Sequence, residues 1–143
     1  MDATYSTAVI QDRLQALTRA IDKGSAAGKL LILDGTRPST KGAAITDQNV
    51  LATQLFAKPS AGSVSGNTLT LAIGASVLAS KTGKATWARI VDSDGTFVAD
   101  LGVSKSGGSG ALQLSTSESP PVPTDQLYEG GVFTLSLGTL VEA

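Results

Sequence analysis

The sequence contains neither cysteine nor histidine among its 143 residues. Without cysteine the chain can form no disulfide and no thiolate metal site, and its redox compartment cannot be inferred. The absence of histidine removes the most common general base and metal ligand. Serine and threonine residues lie near Lys81 and Lys84, but no spacing favours a serine–lysine nucleophile. We therefore expect a protein that is not an enzyme and that needs no cofactor and no metal.

Aromatic residues and an excess of charge are also scarce. Aromatic residues make up 4% of the chain, and 11 basic residues against 12 acidic residues leave a net charge of −1. Because the basic residues form no stripe, we expect no nucleic-acid partner. No apolar run approaches the roughly 18 residues that span a membrane, and the first residues, MDATYSTAVIQDRLQ, contain no apolar signal-peptide core. The sequence therefore predicts no membrane partner and synthesis in the cytoplasm.

Small residues and short aliphatic runs make up most of the remaining sequence. Hydrophobic residues account for 41% of the chain, which also has 16 glycines. Alternating runs between glycine-rich turns are typical of β-sandwiches and barrels. We predict one mainly β domain over residues 1–143, an antiparallel β-sandwich of about seven strands over 29–141 with one N-terminal amphipathic α-helix over 6–23. A core with few aromatic residues buries modest area, so association could add stability.

The helix is predicted from a single apolar stripe. Four residues at spacings of four, three and four form this stripe: Ile10, Leu14, Leu17 and Ile21. Ser6 or Thr7 suits the N-terminal cap, and Gly24 suits the position beyond the C-terminal end. We expect the stripe to pack over an open end or edge of the sheet. The alternative is a helix that docks on a partner subunit.

Short runs of residues that are apolar or that alternate in polarity predict the strands. The clearest runs are Lys29–Leu33, Val50–Ala57, Leu69–Ile73 and Val132–Val141. The first run is continuously apolar, which predicts burial on both faces. We expect Pro59 to end the second run, so that Ser60–Asn67 forms a loop with its turn at Gly66-Asn67.

A hairpin is predicted over Ala85–Leu101, ATWARIVDSDGTFVADL, because Asp94-Gly95 separates two strand-like runs. Because side chains alternate along a strand, three residues of the first strand should share one face: Trp87, Arg89 and Val91. In the second strand, Phe97, Ala99 and Leu101 should share a face. Asp92 and Asp94 resemble the start of a calcium loop, but the remaining ligands are missing. A hairpin turn is the preferred interpretation, with a weak ion site that includes Asp100 as the alternative.

Three further segments have loop character. An elbow follows the first strand at Asp34–Pro38, where an Asp34–Arg37 contact is expected and Arg37 could alternatively hold a carboxylate or phosphate. Ser104–Gly110 is the most flexible segment by composition, and the proline-rich Ser117–Thr124 is predicted to be extended and stiff. Long connections in compact domains are usually functional or disordered. Eight loop residues are therefore candidate partner contacts: Arg37, Pro38, Lys105, Gly107, Gly108, Pro120, Pro121 and Pro123.

The order of these segments resembles that of small β-rich structural proteins of tailed bacteriophages. The resemblance rests on four stretches and on the alternating strand after Gly130-Gly131: AVIQDRLQALTRAI, KLLILDGTRP, VLATQLFAKPSAG and GKATWARIVDSDGTFVADL. Together they cover most of the chain, although they are patterns of turns and apolar residues. The proline-rich insert Ser119–Asp125 departs from the family pattern. The resemblance implies a virion component and supplies no catalytic residue.

Within this resemblance we expect a capsid decoration or cement protein. Such a protein would stabilise the head by binding the lattice of the major capsid protein, or would bind other virion proteins. A homo-oligomer is expected, and the number three comes from analogy with decoration proteins at capsid three-fold positions. One alternative is a tail or head–tail connector component. A second alternative is a glycan-binding adsorption module, which the scarcity of aromatic residues argues against. The expected location is the virion, assembled in the host cytoplasm.

Overall fold

The computed structural model of the chain describes residues 3–137 and 140–141. These residues form one helix and ten strands. In chain order they are α1 (Thr7–Ile21), β1 (Lys29–Leu33), β2 (Val50–Ser65), β3 (Thr68–Ile73), β4 (Gly83–Lys84), β5 (Trp87–Val91), β6 (Phe97–Lys105), β7 (Leu112–Ser115), β8 (Gln126–Leu127), β9 (Thr134–Leu137) and β10 (Leu140–Val141). The mainly β fold with one N-terminal helix is confirmed.

Eight strands form one mixed sheet in the order β10-β3-β2-β1-β5-β6-β7-β9, and β4 pairs with β8 in a separate two-stranded sheet. All pairs are antiparallel except β6 with β7, which are parallel. The large sheet is nearly closed into a barrel, and its two outermost strands, β9 and β10, follow each other in the chain. The predicted antiparallel sandwich is therefore not confirmed, because the strands curl around one core instead of stacking as two sheets.

The helix begins and packs as its stripe predicts. Ser6 is the N-cap, and its side chain accepts a hydrogen bond of 3.3 Å from the Val9 N–H. Leu14 and Ile21 are buried, while Ile10 and Leu17 pack against the same core. The helix ends at Ile21, and the Asp22 N–H donates to the Thr18 carbonyl at 2.9 Å. Its apolar face therefore lies on the sheet, in contact with β2, β3 and β6.

Strand β2 holds the C-terminal end of the helix. The Lys58 ammonium donates to three carbonyls there, those of Asp22 at 3.0 Å, Gly24 at 2.7 Å and Ala26 at 3.1 Å. The Ser60 N–H lies 3.1 Å from both carboxylate oxygens of Asp22. A cation at this end is favourable because the last carbonyls of a helix carry partial negative charge. These contacts connect β2 to α1 and fix the helix over the sheet.

The prediction that Pro59 ends the second strand is wrong. Strand β2 continues through Pro59 to Ser65, and the predicted loop at Ser60–Asn67 is mostly strand. The pairing of β2 with β3 shifts register between Phe56 and Ala61, so Pro59 lies where the ladder is already interrupted. A missing N–H is tolerated at such a bulge.

The core is one cluster of buried side chains enclosed by the large sheet and the helix. Its largest fully buried members are aliphatic or phenylalanine side chains: Ile21, Leu30, Ile32, Leu51, Phe56, Leu69, Ile90, Leu112 and Leu114. Strand β1 lies between β2 and β5, and Leu30, Ile32 and Leu33 are all completely buried. The predicted burial on both faces is therefore confirmed only in part, because Lys29 and Leu31, on the face opposite Leu30 and Ile32, are half-buried.

The predicted hairpin turn is present between β5 and β6. One carboxylate oxygen of Asp92 accepts hydrogen bonds from the N–H groups of Asp94 and Thr96, both at 2.9 Å. The bond from Thr96 is the main cause that lowers the pKa of Asp92, with the bond from Asp94 and the charge of Lys23 adding to it. Gly95 has a φ of 88°, a value that glycine adopts without strain. Asp92 therefore serves as the hydrogen-bond acceptor of a turn.

Candidate functional site

Two of the predicted contact loops meet at the carboxyl end of β7. The Ser106 N–H donates to the Leu114 carbonyl at 2.8 Å, and the Thr124 N–H donates to the same oxygen at 3.3 Å. Ser115 forms an isolated β-bridge with Pro123. The structure therefore brings the glycine-rich and proline-rich segments together at one end of the sheet. The candidate contacts in these segments are all exposed: Lys105, Gly107, Gly108, Pro120, Pro121 and Pro123.

The glycine-rich segment is a hydrogen-bonded turn, although its composition predicts flexibility. The Gln113 side chain accepts from the Gly107 N–H at 3.1 Å and donates to the Gly108 carbonyl at 2.9 Å. The Gly110 N–H donates to the Ser104 hydroxyl at 3.0 Å. A Cβ on Gly110 would lie 2.6 Å from the Ser104 nitrogen. Only glycine permits this close return of the chain. The return places β7 parallel to β6 after a connection far shorter than parallel strands usually need.

The proline-rich segment reverses direction, so the prediction that it is extended is wrong. The Thr116 N–H donates to the Val122 carbonyl at 2.8 Å, and the Val122 N–H donates to the Thr116 hydroxyl at 2.9 Å. These two bonds close a turn that contains Pro120 and Pro121. The fixed φ of proline limits such a turn to few conformations, so the exposed segment is preorganised.

A second layer covers this end of the sheet. Residues 78–85 run antiparallel to residues 125–132 and include the β4–β8 pair. The Ala79 N–H donates to the Gly131 carbonyl at 3.0 Å, and the Gly130 N–H donates to the Ala79 carbonyl at 2.8 Å. Ala79, Ala85 and Leu127 are buried in the core on the inner side of this layer.

The outer side of the layer exposes large apolar side chains. Leu78 is 57% exposed, Tyr128 66% and Val132 64%. Leu78 and Val132 face each other in a β-bridge, and Tyr128 and Val132 line one small cavity of about 100 Å³. We call Leu78, Tyr128 and Val132 the apolar patch. The sequence alone does not reveal this patch, because the pairing of residues 78–85 with 125–132 joins segments far apart in the chain.

Arg37 and Pro38, the other two candidate contacts, lie elsewhere. They belong to the segment 34–49, which folds over the outer face of the β5–β6 hairpin. The Trp87 indole N–H donates to the Asp34 carbonyl at 2.9 Å, and the Asp34 carboxylate accepts from the Asn49 side chain at 3.1 Å. Asp34 therefore binds Asn49, and the expected Asp34–Arg37 contact is not what holds the elbow.

Arg89 organises the outer face of this hairpin. Its guanidinium binds Asp100 with two bonds, Nε to Oδ1 at 2.8 Å and Nη2 to Oδ2 at 3.0 Å, and donates to the Ala43 carbonyl at 2.7 Å. The rings of Trp87 and Phe97 have their centroids 5.3 Å and 5.1 Å from the guanidinium carbon. The ion pair is nearly buried, with side-chain exposures of 7% and 11%. Asp100 is therefore engaged by Arg89, which argues against the alternative of an ion site at the turn.

A β-bulge places Phe97 beside Arg89, contrary to the predicted alternation. Val91 pairs with Phe97 and Ile90 pairs with Ala99, so Val98 is the extra residue. The bulge shifts Phe97 to the outer face of the hairpin, whereas the alternation predicts that it shares a face with Ala99. A bulge of this kind reverses the facing of all residues on one side of it.

Next to the Arg89 ion pair lies a cavity with a volume of about 560 Å³. It opens between the segment 34–49 and β6. Its lining combines cationic, polar and apolar residues with one carboxylate: Arg37, Pro38, Ser39, Lys41, Phe97, Val98, Ala99 and Asp100. Arg37 and Pro38 thus meet β6 here, whereas the other six candidate contacts lie in the two loops at the end of β7.

Over residues 3–137 and 140–141, no three metal-binding side chains cluster, and no helix is long and apolar enough to cross a membrane. Comparisons with family models, with curated proteins and with solved structures gave no match. The described surface therefore has two features of interest, the apolar patch with its adjoining loops and the cavity beside Arg89.

Proposed function

We propose that this chain is a structural protein of a tailed-bacteriophage virion, most specifically a capsid decoration or cement protein that binds the major capsid protein. The family proposal depends on the resemblance in the sequence. The observation that carries the contact function is the apolar patch, where Leu78, Tyr128 and Val132 are each more than half exposed. Grouped exposed apolar side chains are typical of protein-contact surfaces.

The loops beside the patch support a contact role. Lys105, Gly107, Pro121 and Pro123 project from turns that are closed by hydrogen bonds. Loops that are ordered before binding lose less conformational entropy when a partner is bound. Tyrosine is also enriched at interfaces. We infer that the patch and these loops form one contact surface for the capsid lattice, and that its apolar character makes binding weakly dependent on salt.

The proposal includes assembly and location. We infer a homo-oligomer on the outer capsid shell, with three subunits by analogy with other decoration proteins. A tail or head–tail connector position is the alternative and would use the same surface. A glycan-binding adsorption module is less well supported, because Trp87 is 2% exposed and its indole N–H is bonded inside the chain.

The test is rebinding to particles from which this protein has been stripped, with electron microscopy to locate it and light scattering to count subunits. Replacing Tyr128 and Val132 by threonine should weaken rebinding about tenfold or more, with a stability change within about 0.5 kcal/mol. The matched control makes the same replacement at Leu55 and Val141, two exposed apolar strand residues elsewhere. This control should rebind normally.

Three outcomes would decide against this assignment. A monomer that fails to bind stripped capsids at any salt concentration removes the decoration proposal. Density at the tail or neck moves the protein to the alternative position. Equal loss of rebinding in both double variants shows that the apolar patch is not the contact surface.

A further inference from the structure

The cavity beside Arg89 has the size of a ligand site. Its volume of about 560 Å³ lies in the range of roughly 300–1,000 Å³ that is common for such sites. One wall is formed by Arg37, Pro38, Ser39 and Lys41 from the segment 34–49, and the other by residues 97–100 of β6. The Ala43 carbonyl accepts a bond of 2.7 Å from Arg89, which anchors the segment against the hairpin.

The charge of the cavity is positive. Both carboxylate oxygens of Asp100 are bound by Arg89, at 2.8 Å and 3.0 Å, so the one acidic group in the lining is neutralised. The side chains of Arg37 and Lys41 are exposed, and within the described part of the chain no ion pair engages either of them. The cavity thus has two available cations in a chain whose net charge is −1.

The floor of the cavity is apolar. Phe97 and Pro38, both half-buried, supply its apolar side chains. Val98 and Ala99 also line the cavity, but their side chains pack against the core. A cationic rim over an apolar floor suits an anionic ligand that also has an apolar part. A bare inorganic anion would leave the floor uncovered, whereas a peptide segment can supply carboxylates for the rim and an apolar side chain for the floor. The arginine fork in addition matches the geometry of a carboxylate.

We propose that this cavity binds an acidic segment of a partner protein, with its carboxylates at Arg37 and Lys41 and an apolar side chain on Phe97. Charge complementarity identifies the occupant. The proposal goes beyond the contact surface at the apolar patch, since it assigns a second site with different chemistry. Unlike the patch, this site should bind less tightly as salt increases, because exposed ion pairs are screened.

The experiment uses a fluorescein-labelled peptide, Asp-Glu-Phe-Asp-Glu with blocked ends, and measures its binding to the full chain by fluorescence polarisation. Replacing Arg37 and Lys41 by glutamine should weaken binding roughly 3- to 20-fold, the combined effect of two exposed ion pairs. The matched control replaces Arg19 and Lys23 by glutamine, which removes the same charge from exposed positions elsewhere. Binding to this control should change less than twofold.

Each remaining outcome would overturn the proposal. Equal weakening in the two double variants would show attraction by net charge alone. Displacement of the peptide by inorganic phosphate at equal concentration would identify a free-anion site. Equal affinity for a peptide with serine in place of phenylalanine would show that the apolar floor takes no part. Rebinding to stripped particles through the apolar patch is measured separately, so the two proposals can fail independently.

Discussion

The guanidinium of Arg89 lies between two aromatic rings and against a carboxylate, and 7% of its side chain is exposed. Removing two charges from water costs several kcal/mol per ion, and a buried pair offsets this cost only with good geometry and further hydrogen bonds. Both conditions hold, since the pair is bidentate and the Ala43 carbonyl takes a third bond. The ion pair therefore holds the Arg89 guanidinium in place, and its bond to the Ala43 carbonyl connects the segment 34–49 to the hairpin.

Removing one partner of this ion pair should destabilise the fold more than removing both partners. Asp100→Ala leaves the Arg89 charge nearly buried without its carboxylate, and we expect a loss of about 3–5 kcal/mol in the free energy of unfolding. The double variant Arg89→Leu/Asp100→Leu removes both charges and should lose less. Urea unfolding of both proteins measures the difference. A double variant as unstable as Asp100→Ala would show that packing, rather than the unpaired charge, dominates the loss.

Asp92 should give the protein part of its stability above acidic pH. The N–H bonds from Thr96 and Asp94 lower the pKa of Asp92 in the folded state. The stabilisation by Asp92 is therefore complete above the pKa of an aspartate in the unfolded chain, about 3.9. That effect is lost as the pH falls through the lower, folded pKa. Asp92→Asn should flatten this acid dependence, measured as unfolding free energy against pH. Asp94→Asn, at the exposed tip of the same turn, is the control, and an equal effect there would contradict the prediction.

At the scale of elements, local patterns predict what local contacts determine. The helix stripe, the burial of Leu30 and Ile32 and the Asp94-Gly95 turn all follow from neighbouring residues and are present. The bulge at Val98, the continuation of β2 through Pro59 and the parallel pairing of β6 with β7 depend instead on how each strand pairs with the next strand, which the pattern within one strand does not contain. Alternation alone cannot reveal an extra residue in a strand, because the bulge exists only relative to its partner.

The tight return from β6 to β7 should depend on Gly110. Its missing Cβ would otherwise lie 2.6 Å from the Ser104 nitrogen and 2.9 Å from the Leu112 carbonyl oxygen, both backbone atoms that cannot rotate away. We expect Gly110→Ala to destabilise the fold by about 1–3 kcal/mol through overpacking.

The matched control for this prediction is Gly102→Ala in β6. A Cβ at Gly102 would meet no atom within 4 Å, so the change in stability should stay within about 0.5 kcal/mol. Thermal and urea unfolding of the two variants make the comparison. If Gly110→Ala is as stable as the control, the close approach does not hold in solution and the parallel pairing is in doubt.

At the scale of the whole molecule, the candidate site is less predictable than the fold. Six of the eight candidate contacts converge at the end of β7, but Arg37 and Pro38 line a cavity on β6. The sequence marks both regions as loops because their composition is polar or rich in glycine and proline. It cannot show which loops meet, since this depends on how the large sheet curls. The apolar patch is likewise formed by two segments that are separate in the chain.

The curled sheet and the helix together enclose the core, and Leu17 should report on this closure. Leu17 lines an apolar cavity of about 110 Å³ with residues of β3, β5, β6 and β9. Because it is only partly buried, Leu17→Ala should lower the free energy of unfolding by about 1–3 kcal/mol, less than a fully buried leucine. Val9→Ala removes an exposed side chain, 43% accessible, from the same helix, and should change stability by less than about 0.5 kcal/mol.

Urea unfolding of the isolated chain decides between the two interpretations of the helix. A loss at Leu17 in the absence of any partner means that the helix covers the sheet as part of the domain. If Leu17→Ala does not lower the free energy of unfolding, the stripe is not needed for folding. The alternative, a helix that docks on a partner subunit, is then favoured. The proposed contact surface would then have to include α1, and rebinding to stripped particles should become sensitive to Leu17→Ala. If α1 belongs to the core, rebinding should respond to the apolar patch and be indifferent to Val9→Ala.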